Sequence, residues 1–346
     1  MTQTLFLGTY TKKDSKGIYS IELNQDSKEL VHLKQEVQIG NPTYIDGDKW
    51  YSYLYSVEKT DDGKGGIASF KQNASGEFEK VDDYLEEGAP PCYVAYDNDK
   101  QLIYTANYHK GEVAVLKSSD SGSLSLVDKV THSGQSVHEN QTSPHAHYFD
   151  LTPDKQFLVA CDLGTDEVYT YRLTNDHLEE VSVFKAAPGS GPRHLAFHPN
   201  GKIAYLFAEL SSDVITLSYD AETGAFTHLQ TISSIPAEHT DFNGGAAIRV
   251  TSDGRFVYAS NRGHDSLAIY TVKEDGTLDL SEYVSTEGET PRDFNLDPTE
   301  QFVVVGHQDS DNLTLFERNT DNGSLSLLQK DIYAPEVICI KFAEKL

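Results

Sequence analysis

The segment GPRHLAFHPNGKIAYLFAE (191–209) decides the fold, because two short apolar runs flank a Pro-Asn-Gly turn. Apolar residues that alternate over short runs bounded by Gly, Pro and Asn are typical of β-strands. Similar segments are PHAHYFDLTPDKQFLVACD (144–162), AAIRVTSDGRFVYASN (246–261) and PRDFNLDPTEQFVVVGH (291–307), with looser copies from Pro42 and Pro91. Each copy predicts a strand, a turn and a second strand that leads into a third.

A second repeated element is an acidic or small-residue turn followed by a short apolar-polar alternation. Its seven copies are DSKELVHL (26–33), ASGEFEKV (74–81), DSGSLSLV (120–127), NDHLEEVSV (175–183), ETGAFTHL (222–229), EDGTLDLS (274–281) and DNGSLSLL (321–328). Gly, Asp and Asn supply the positive-φ positions of tight turns, so these segments predict hairpins. Together the two elements give four strands over about 45–50 residues, the period of β-propeller blades.

The two ends of the sequence complete one repeat between them. LFLGTYTKKDSKGIYSIEL (5–23) opens on the second strand of a unit, and PEVICIKF (335–342) closes with a first strand. We therefore expect an all-β, seven-bladed β-propeller of four-stranded antiparallel blades, its ring closed by a composite blade from both termini. Residues 1–346 form a single domain in this prediction. Two stacked sandwiches explain neither the even spacing nor the split unit.

The charge balance narrows the choice of partners. The chain has 54 acidic and 28 basic residues, a formal net charge of −26. Such a charge repels phosphate backbones and anionic lipid, so we expect neither nucleic acid nor membrane as a partner. No stretch approaches the roughly 20 apolar residues of a membrane-spanning helix. A small anionic substrate would need a local positive field.

Cysteine usage predicts a cytoplasmic protein. Cys92, Cys161 and Cys339 are far apart and odd in number, which is neither a disulfide framework nor a zinc pattern. Reduced, buried thiols indicate a cytoplasmic location, and MTQTLFLGTY at the start lacks the pattern of a signal peptide. No cofactor, metal or obligate protein partner is implied.

In a propeller, the starts of the first strands and the loops after the second strands converge around the axis. Candidates at these positions are Tyr10, Pro91, Cys92, Asn107, Tyr108, His145, Asp162, Arg193, His194, Glu209, Arg249, Asn261, Arg262, Arg292, His307 and Gln308. Four of the seven arginines, Arg193, Arg249, Arg262 and Arg292, fall among them, whereas lysine is nearly absent. The planar fork of arginine suits carboxylate or phosphate.

The segments GTYT (8–11), ANY (106–108), PHAH (144–147), GPRHLAFHP (191–199), AEL (208–210), SNRGHDS (260–266) and TPRDFNLDP (290–298) carry a family resemblance. The chain resembles the seven-bladed propeller lactonases over essentially its whole length. That family contains the propeller type of 6-phosphogluconolactonase and the fungal-type carboxymuconate lactonizing enzymes. His307 and the proline-free turn TSDG (251–254) depart from the family pattern.

The resemblance implies catalytic roles for His145, Arg193 and Glu209, with Arg262 and Arg292 as anion binders. Asn107, Tyr108, His194, His307 and Gln308 are further candidates for substrate binding. Lactone hydrolysis needs an activated water and a group that stabilises the oxyanion. Either Glu209 or His145 is the base in this hypothesis, and Arg193 stabilises the oxyanion.

Structural roles compete with these assignments. The structural alternative for Arg193 and Glu209 is a buried ion pair between blades, and that for His145 is a core histidine. His194 and His198 fit packing at strand ends better than catalysis. His145 and His147 have metal-like spacing, but no metal is expected at this position.

The leading hypothesis is metal-independent acid–base hydrolysis of a sugar lactone, above all 6-phosphogluconolactone in the oxidative pentose phosphate route. A lactonizing cycloisomerase acting on a carboxylated muconate is the second hypothesis. The third is a propeller that serves only as a protein-interaction platform, since a fold by itself does not specify a function.

Overall fold

A computed structural model describes residues 2–343 of the chain, which form 28 β-strands and no α-helix. The strands make seven four-stranded antiparallel sheets, numbered here as blades 1 to 7. Among the described residues, no helix is long and apolar enough to cross a membrane. The seven sheets confirm the number of repeats expected from the two sequence elements.

The first three blades contain strands from the amino-terminal third of the chain. Blade 1 contains β1 (Thr2–Thr9), β2 (Gly17–Asn24) and β3 (Glu29–Gln38). Blade 2 contains β4 (Ile45–Gly47), β5 (Tyr53–Lys59), β6 (Lys64–Gln72) and β7 (Phe78–Glu87). Blade 3 contains β8 (Tyr93–Asp97), β9 (Leu102–Asn107), β10 (Glu112–Ser118) and β11 (Leu124–Thr131).

The remaining strands form blades 4 to 7 and complete blade 1. Blade 4 contains β12 (Ala146–Leu151), β13 (Leu158–Asp162), β14 (Glu167–Thr174) and β15 (His177–Lys185). Blade 5 contains β16 (Pro192–Phe197), β17 (Ile203–Ala208), β18 (Asp213–Tyr219) and β19 (Phe226–Ser233). Blade 6 contains β20 (Gly244–Val250), β21 (Phe256–Arg262), β22 (Ser266–Val272) and β23 (Leu278–Ser285). Blade 7 contains β24 (Pro291–Leu296), β25 (Phe302–His307), β26 (Asn312–Arg318) and β27 (Leu325–Tyr333), and β28 (Val337–Phe342) belongs to blade 1.

Blade 1 joins the two ends of the chain. Its strand order is β28-β1-β2-β3, and β28 pairs antiparallel with β1 from Leu5–Phe342 to Thr9–Val337. Alternating apolar residues on both strands enter one buried cluster with Leu5, Leu7 and Ile340. The pairing leaves β1 with a neighbour on each side and confirms the composite blade predicted from the sequence.

The chain divides into two compact units. The first unit contains the described residues up to Thr105, Val115–Val127, and those from Glu287 onward; the second contains Ala106–Ala114 and Asp128–Thr286. The core of the second unit includes Tyr205, Phe207 and Tyr270, all fully buried. In this unit the first strands β12, β16 and β20 contact one another in sequence order. The starts of these neighbouring strands are thereby held close together.

Several first strands carry a β-bulge close to their start. The register of β16 with β17 passes from Pro192 to His194 and skips Arg193. The same irregularity skips His147 on β12 and Arg292 on β24. A bulge places an extra residue in the strand and turns its side chain away from simple alternation. Two of these bulge residues, Arg193 and Arg292, belong to the site predicted from the sequence.

Turn glycines dock one blade on the next. In the second unit, the hydroxyl of Tyr205 on blade 5 donates to the Gly276 carbonyl in the β22–β23 turn, at 2.9 Å. Gly276 has φ +83°, and a Cβ atom there would lie 2.8 Å from Ile203 Cγ1. Gly76 occupies the corresponding turn of blade 2 with φ +82°, but a Cβ atom there would meet nothing within 4 Å. The same backbone conformation thus occurs with and without a packed neighbour.

We expect Gly276→Ala to lower the free energy of unfolding by about 2–4 kcal/mol, the sum of left-handed strain and overpacking. Gly76→Ala is the matched control and should cost about 1 kcal/mol, because only the strain applies. Urea denaturation of both variants measures the difference. Equal losses for the two variants would show that the docking of this turn contributes nothing.

Candidate active site

A carboxylate held by two arginines forms the centre of the candidate site in the second unit. Arg193 lies at the bulge of β16, Glu209 directly follows β17, and Arg262 ends β21. Arg193 Nε and Arg262 Nη2 each lie 2.9 Å from Glu209 Oε2. The side chains are 3%, 21% and 12% exposed for Arg193, Glu209 and Arg262. Buried charges need such pairing, so the ion pairs keep both guanidinium groups in place.

Carbonyl groups at the start of β20 fix the orientation of both arginines. Arg193 Nη1 donates to the Ala246 carbonyl at 2.7 Å. Arg262 donates from Nε to the Gly244 carbonyl and from Nη2 to the Gly245 carbonyl, at 3.3 and 3.1 Å. These contacts involve Nε and Nη2 of Arg262. The remaining nitrogen, Nη1, has no hydrogen-bond partner among residues 2–343. Nη1 of this partly exposed side chain can donate to an anion.

The contact of the His145 ring with the Tyr108 carbonyl determines which ring nitrogen carries the proton. Its Nδ1 lies 2.8 Å from the Tyr108 carbonyl oxygen, and a carbonyl oxygen only accepts, so Nδ1 carries the proton. In the neutral ring, Nε2 is then an acceptor. The ring also stacks on that of Tyr108, with centroids 4.2 Å apart and an interplanar angle of 9°. His145 is therefore arranged to take a proton at Nε2.

A buried carboxylate holds the backbone of His145. Asp162 Oδ1 accepts from the His145 backbone N–H at 2.7 Å, while Asp162 Oδ2 lies 2.6 Å from His132 Nδ1. His132 Nε2 lies 3.0 Å from the Tyr171 hydroxyl, whose pKa burial raises above its usual value. Tyr171 thus stays protonated and donates to His132, which donates to Asp162. This chain fixes the segment that carries His145.

His132 is a functional candidate that sequence reasoning missed. It lies in the loop after β11, outside the repeated elements. It is therefore neither at the start of a first strand nor in a loop after a second strand, the two kinds of position expected to converge. Asp162, at the end of β13, was among the converging candidates, and its contact with His132 depends on tertiary packing. No spacing in the sequence relates the two residues.

Two further histidines link His145 to the strand of Arg193. His194 Nε2 lies 3.2 Å from His147 Nδ1, and both residues are about 4% exposed. The His147 ring also meets the edge of Tyr108, with centroids 6.1 Å apart. The rings of His145 and His147 both contact Tyr108 and therefore lie on the same side of this segment. No group of acidic, histidine or cysteine side chains in the described part of the chain could hold a metal ion.

The other predicted residues have local partners. Asn107 Oδ1 accepts from the backbone N–H groups of His109 and Lys110 and so caps the turn after β9. In the first unit, Arg292 Nη1 donates to Gln308 Oε1 at 3.1 Å, and the guanidinium lies 5.7 Å from the centre of the Tyr10 ring. His307, also in the first unit, is fully buried.

The described cysteines are free thiols, and one of them lies beside the Asp162 carboxylate. Burial, with a smaller contribution from Asp162, raises the pKa of the Cys161 thiol well above its usual value. A thiol that stays protonated is a poor nucleophile. The site therefore depends on His, Arg and Glu side chains.

Comparison with known proteins reveals one family. A family profile described as "Lactonase, 7-bladed beta-propeller" matches residues 4–342. A Bacillus subtilis protein named 6-phosphogluconolactonase is 46% identical over 99% of this chain and 98% of its own length. The match and the seven sheets together confirm the predicted seven-bladed β-propeller.

Two solved structures are similar over nearly their full length. A protein from Lactobacillus plantarum is 47% identical with a TM-score of 0.97, covering 99% of this chain and 100% of its own. A structure described as a periplasmic gluconolactonase from Pseudomonas aeruginosa is 30% identical with a TM-score of 0.91, covering 99% of both chains.

We expect Glu209→Gln to lower the free energy of unfolding by about 3 kcal/mol, because it leaves the buried Arg193 charge without a counter-charge. The double variant with Arg193→Met should regain part of that loss, since an apolar side chain of similar length needs no partner. Glu222→Gln, in an exposed turn, is the control and should change little. Chemical denaturation of the parent, the single variants Glu209→Gln and Arg193→Met, the double variant and the control checks this, and additive losses of the two single variants in the double variant would contradict it.

Proposed function

Because the chain belongs to the seven-bladed β-propeller lactonase family, we propose that its natural substrate is a sugar lactone, above all 6-phosphogluconolactone. The chain is a lactonase, and the interaction-platform hypothesis is excluded. The observation that carries the choice of substrate is the full-length, 46% identical relative named 6-phosphogluconolactonase. A substrate with a phosphate also suits a site rich in arginine.

The proposed base is His145. Its Nδ1–H donates to the Tyr108 carbonyl, so Nε2 accepts a proton from water as the water oxygen attacks the lactone carbonyl carbon. A tetrahedral oxyanion forms, and the ester C–O bond of the ring then breaks. The imidazolium returns its proton to the leaving alkoxide, which gives the open-chain acid and neutral His145.

Glu209 has a different role in this proposal. Its Oε2 accepts a hydrogen bond from Arg193 Nε and forms an ion pair with Arg262 Nη2, and a proton on this oxygen would have to displace them. We therefore assign Glu209 the task of holding the two guanidinium groups, and we assign the role of base to His145. The reaction so described needs no metal.

The arginines supply the positive field that the acidic chain otherwise lacks. Arg193, fixed by Glu209 and the Ala246 carbonyl, contributes charge that stabilises the oxyanion without reorganising. Arg262 donates from Nη1 to an anionic group of the substrate. In the first unit, Arg292 and Gln308 stay candidates for anion binding. Substrate contacts of Asn107, Tyr108, His194 and His307 likewise stay predictions.

The proposed setting is cytoplasmic carbohydrate metabolism, in the oxidative pentose phosphate route. The described thiols are free, as in most proteins of a reducing compartment. We propose no cofactor.

We expect His145→Ala to lower kcat for 6-phosphogluconolactone by about 10²–10⁴-fold, the usual contribution of a positioned acid–base group. His177→Ala removes a histidine with 77% side-chain exposure and should leave kcat unchanged. Acid release in a pH-stat, corrected for spontaneous opening, measures both variants. A His145→Ala enzyme with the parent kcat would remove His145 from the mechanism.

We expect Arg262→Ala to raise KM for 6-phosphogluconolactone by about tenfold or more, through loss of a charge-assisted hydrogen bond. The effect on unphosphorylated gluconolactone should be smaller, since that substrate lacks the phosphate. Arg255→Ala removes an arginine with 52% side-chain exposure and serves as control. Equal effects on the two lactones would show that Arg262 does not bind the phosphate.

A further inference from the structure

Phe242 is an exposed aromatic residue with a fixed backbone. It lies in the loop between β19 and β20 and is 77% exposed, the highest value among the exposed large apolar residues of the described chain. A single exposed apolar residue is common on protein surfaces. Its position relative to the candidate site distinguishes this one.

The loop that carries Phe242 is held from several sides. Asn243 Nδ2 donates to Ser212 Oγ at 2.8 Å, and Asn243 Oδ1 accepts from the His264 backbone N–H at 3.1 Å. Gly263 packs so closely that a Cβ atom there would lie 2.1 Å from the Phe242 carbonyl oxygen. The ring is therefore presented to solvent by an ordered backbone, and its exposure is not a property of a loose segment.

The Phe242 ring and the Arg262 guanidinium flank the same glycine. A Cβ atom on Gly244 would lie 2.9 Å from Arg262 Nη2 and 3.5 Å from Phe242 Cζ. A ring atom of Phe242 and the guanidinium that carries the available donor Nη1 thus lie within 3.5 Å of one point beside Gly244.

We propose that Phe242 is a specificity-determining residue whose ring contacts the C–H groups next to the anionic group that Arg262 binds. This inference rests on the proposed function. Arginine alone holds inorganic phosphate and a sugar phosphate by the same hydrogen bonds. An aromatic ring adds an apolar contact that only a phosphate on a hydrocarbon arm can make. Phe242 therefore selects phosphorylated sugars over free phosphate.

The test compares Phe242→Ala with Leu280→Ala, a truncation of a 38% exposed side chain on the outer strand of the same blade. Because Phe242 is exposed, its truncation should leave the fold intact. We expect Phe242→Ala to raise KM for 6-phosphogluconolactone about tenfold, as loss of a small apolar contact does. The value of kcat and the inhibition constant of inorganic phosphate should change less than twofold. Leu280→Ala should change none of these values.

Calorimetric binding of 6-phosphogluconate and of inorganic phosphate gives an independent measurement. Phe242→Ala should weaken binding of 6-phosphogluconate about tenfold and leave phosphate binding unchanged. Unchanged sugar-phosphate binding, or equal weakening of both ligands, would overturn the inference. A parent protein that binds 6-phosphogluconate without hydrolysing the lactone would overturn the proposed function alone, whereas one that binds neither ligand would overturn both.

Discussion

The buried guanidinium group of Arg193 is the constraint on which the site depends. Arginine stays protonated in proteins, so a guanidinium whose side chain is 3% exposed needs partners that offset its desolvation, and Glu209 and the Ala246 carbonyl provide them. Those two groups lie on β20 and just after β17, so satisfying one cation requires three strands of two blades to keep their register. Arg262 then shares the same carboxylate oxygen and is oriented by it.

The repeated sequence elements explain which parts of the fold and of the candidate site could be predicted from the sequence. Turn glycines such as Gly276 recur at the corresponding turn of five blades, where φ is positive, and that regularity identifies the blades. Equivalent positions in neighbouring repeats meet in space, so Arg193, Glu209 and Arg262 could be grouped correctly. The same reasoning placed β1 and β28 in one blade.

Local departures from the repeat explain what could not be predicted. The bulges at His147 and Arg193 depend on backbone registers that alternation does not encode. The proposed choice of base depends on the Tyr108 carbonyl, a main-chain group that no motif records. His132 and Phe242 lie in connections between blades, outside the two repeated sequence elements, so their proposed roles follow only from tertiary contacts.

The pairing of β28 with β1 has a consequence for biosynthesis. A ribosome produces β1 before, and β28 after, every other described strand of the domain. Until then the nascent chain carries an unpaired edge on β1, and unpaired edges template aggregation. Blade 1 is thus the first blade to begin and the last to be completed. Its open edge on β1 is therefore exposed for the longest time, and a chaperone would have the longest time to act on it.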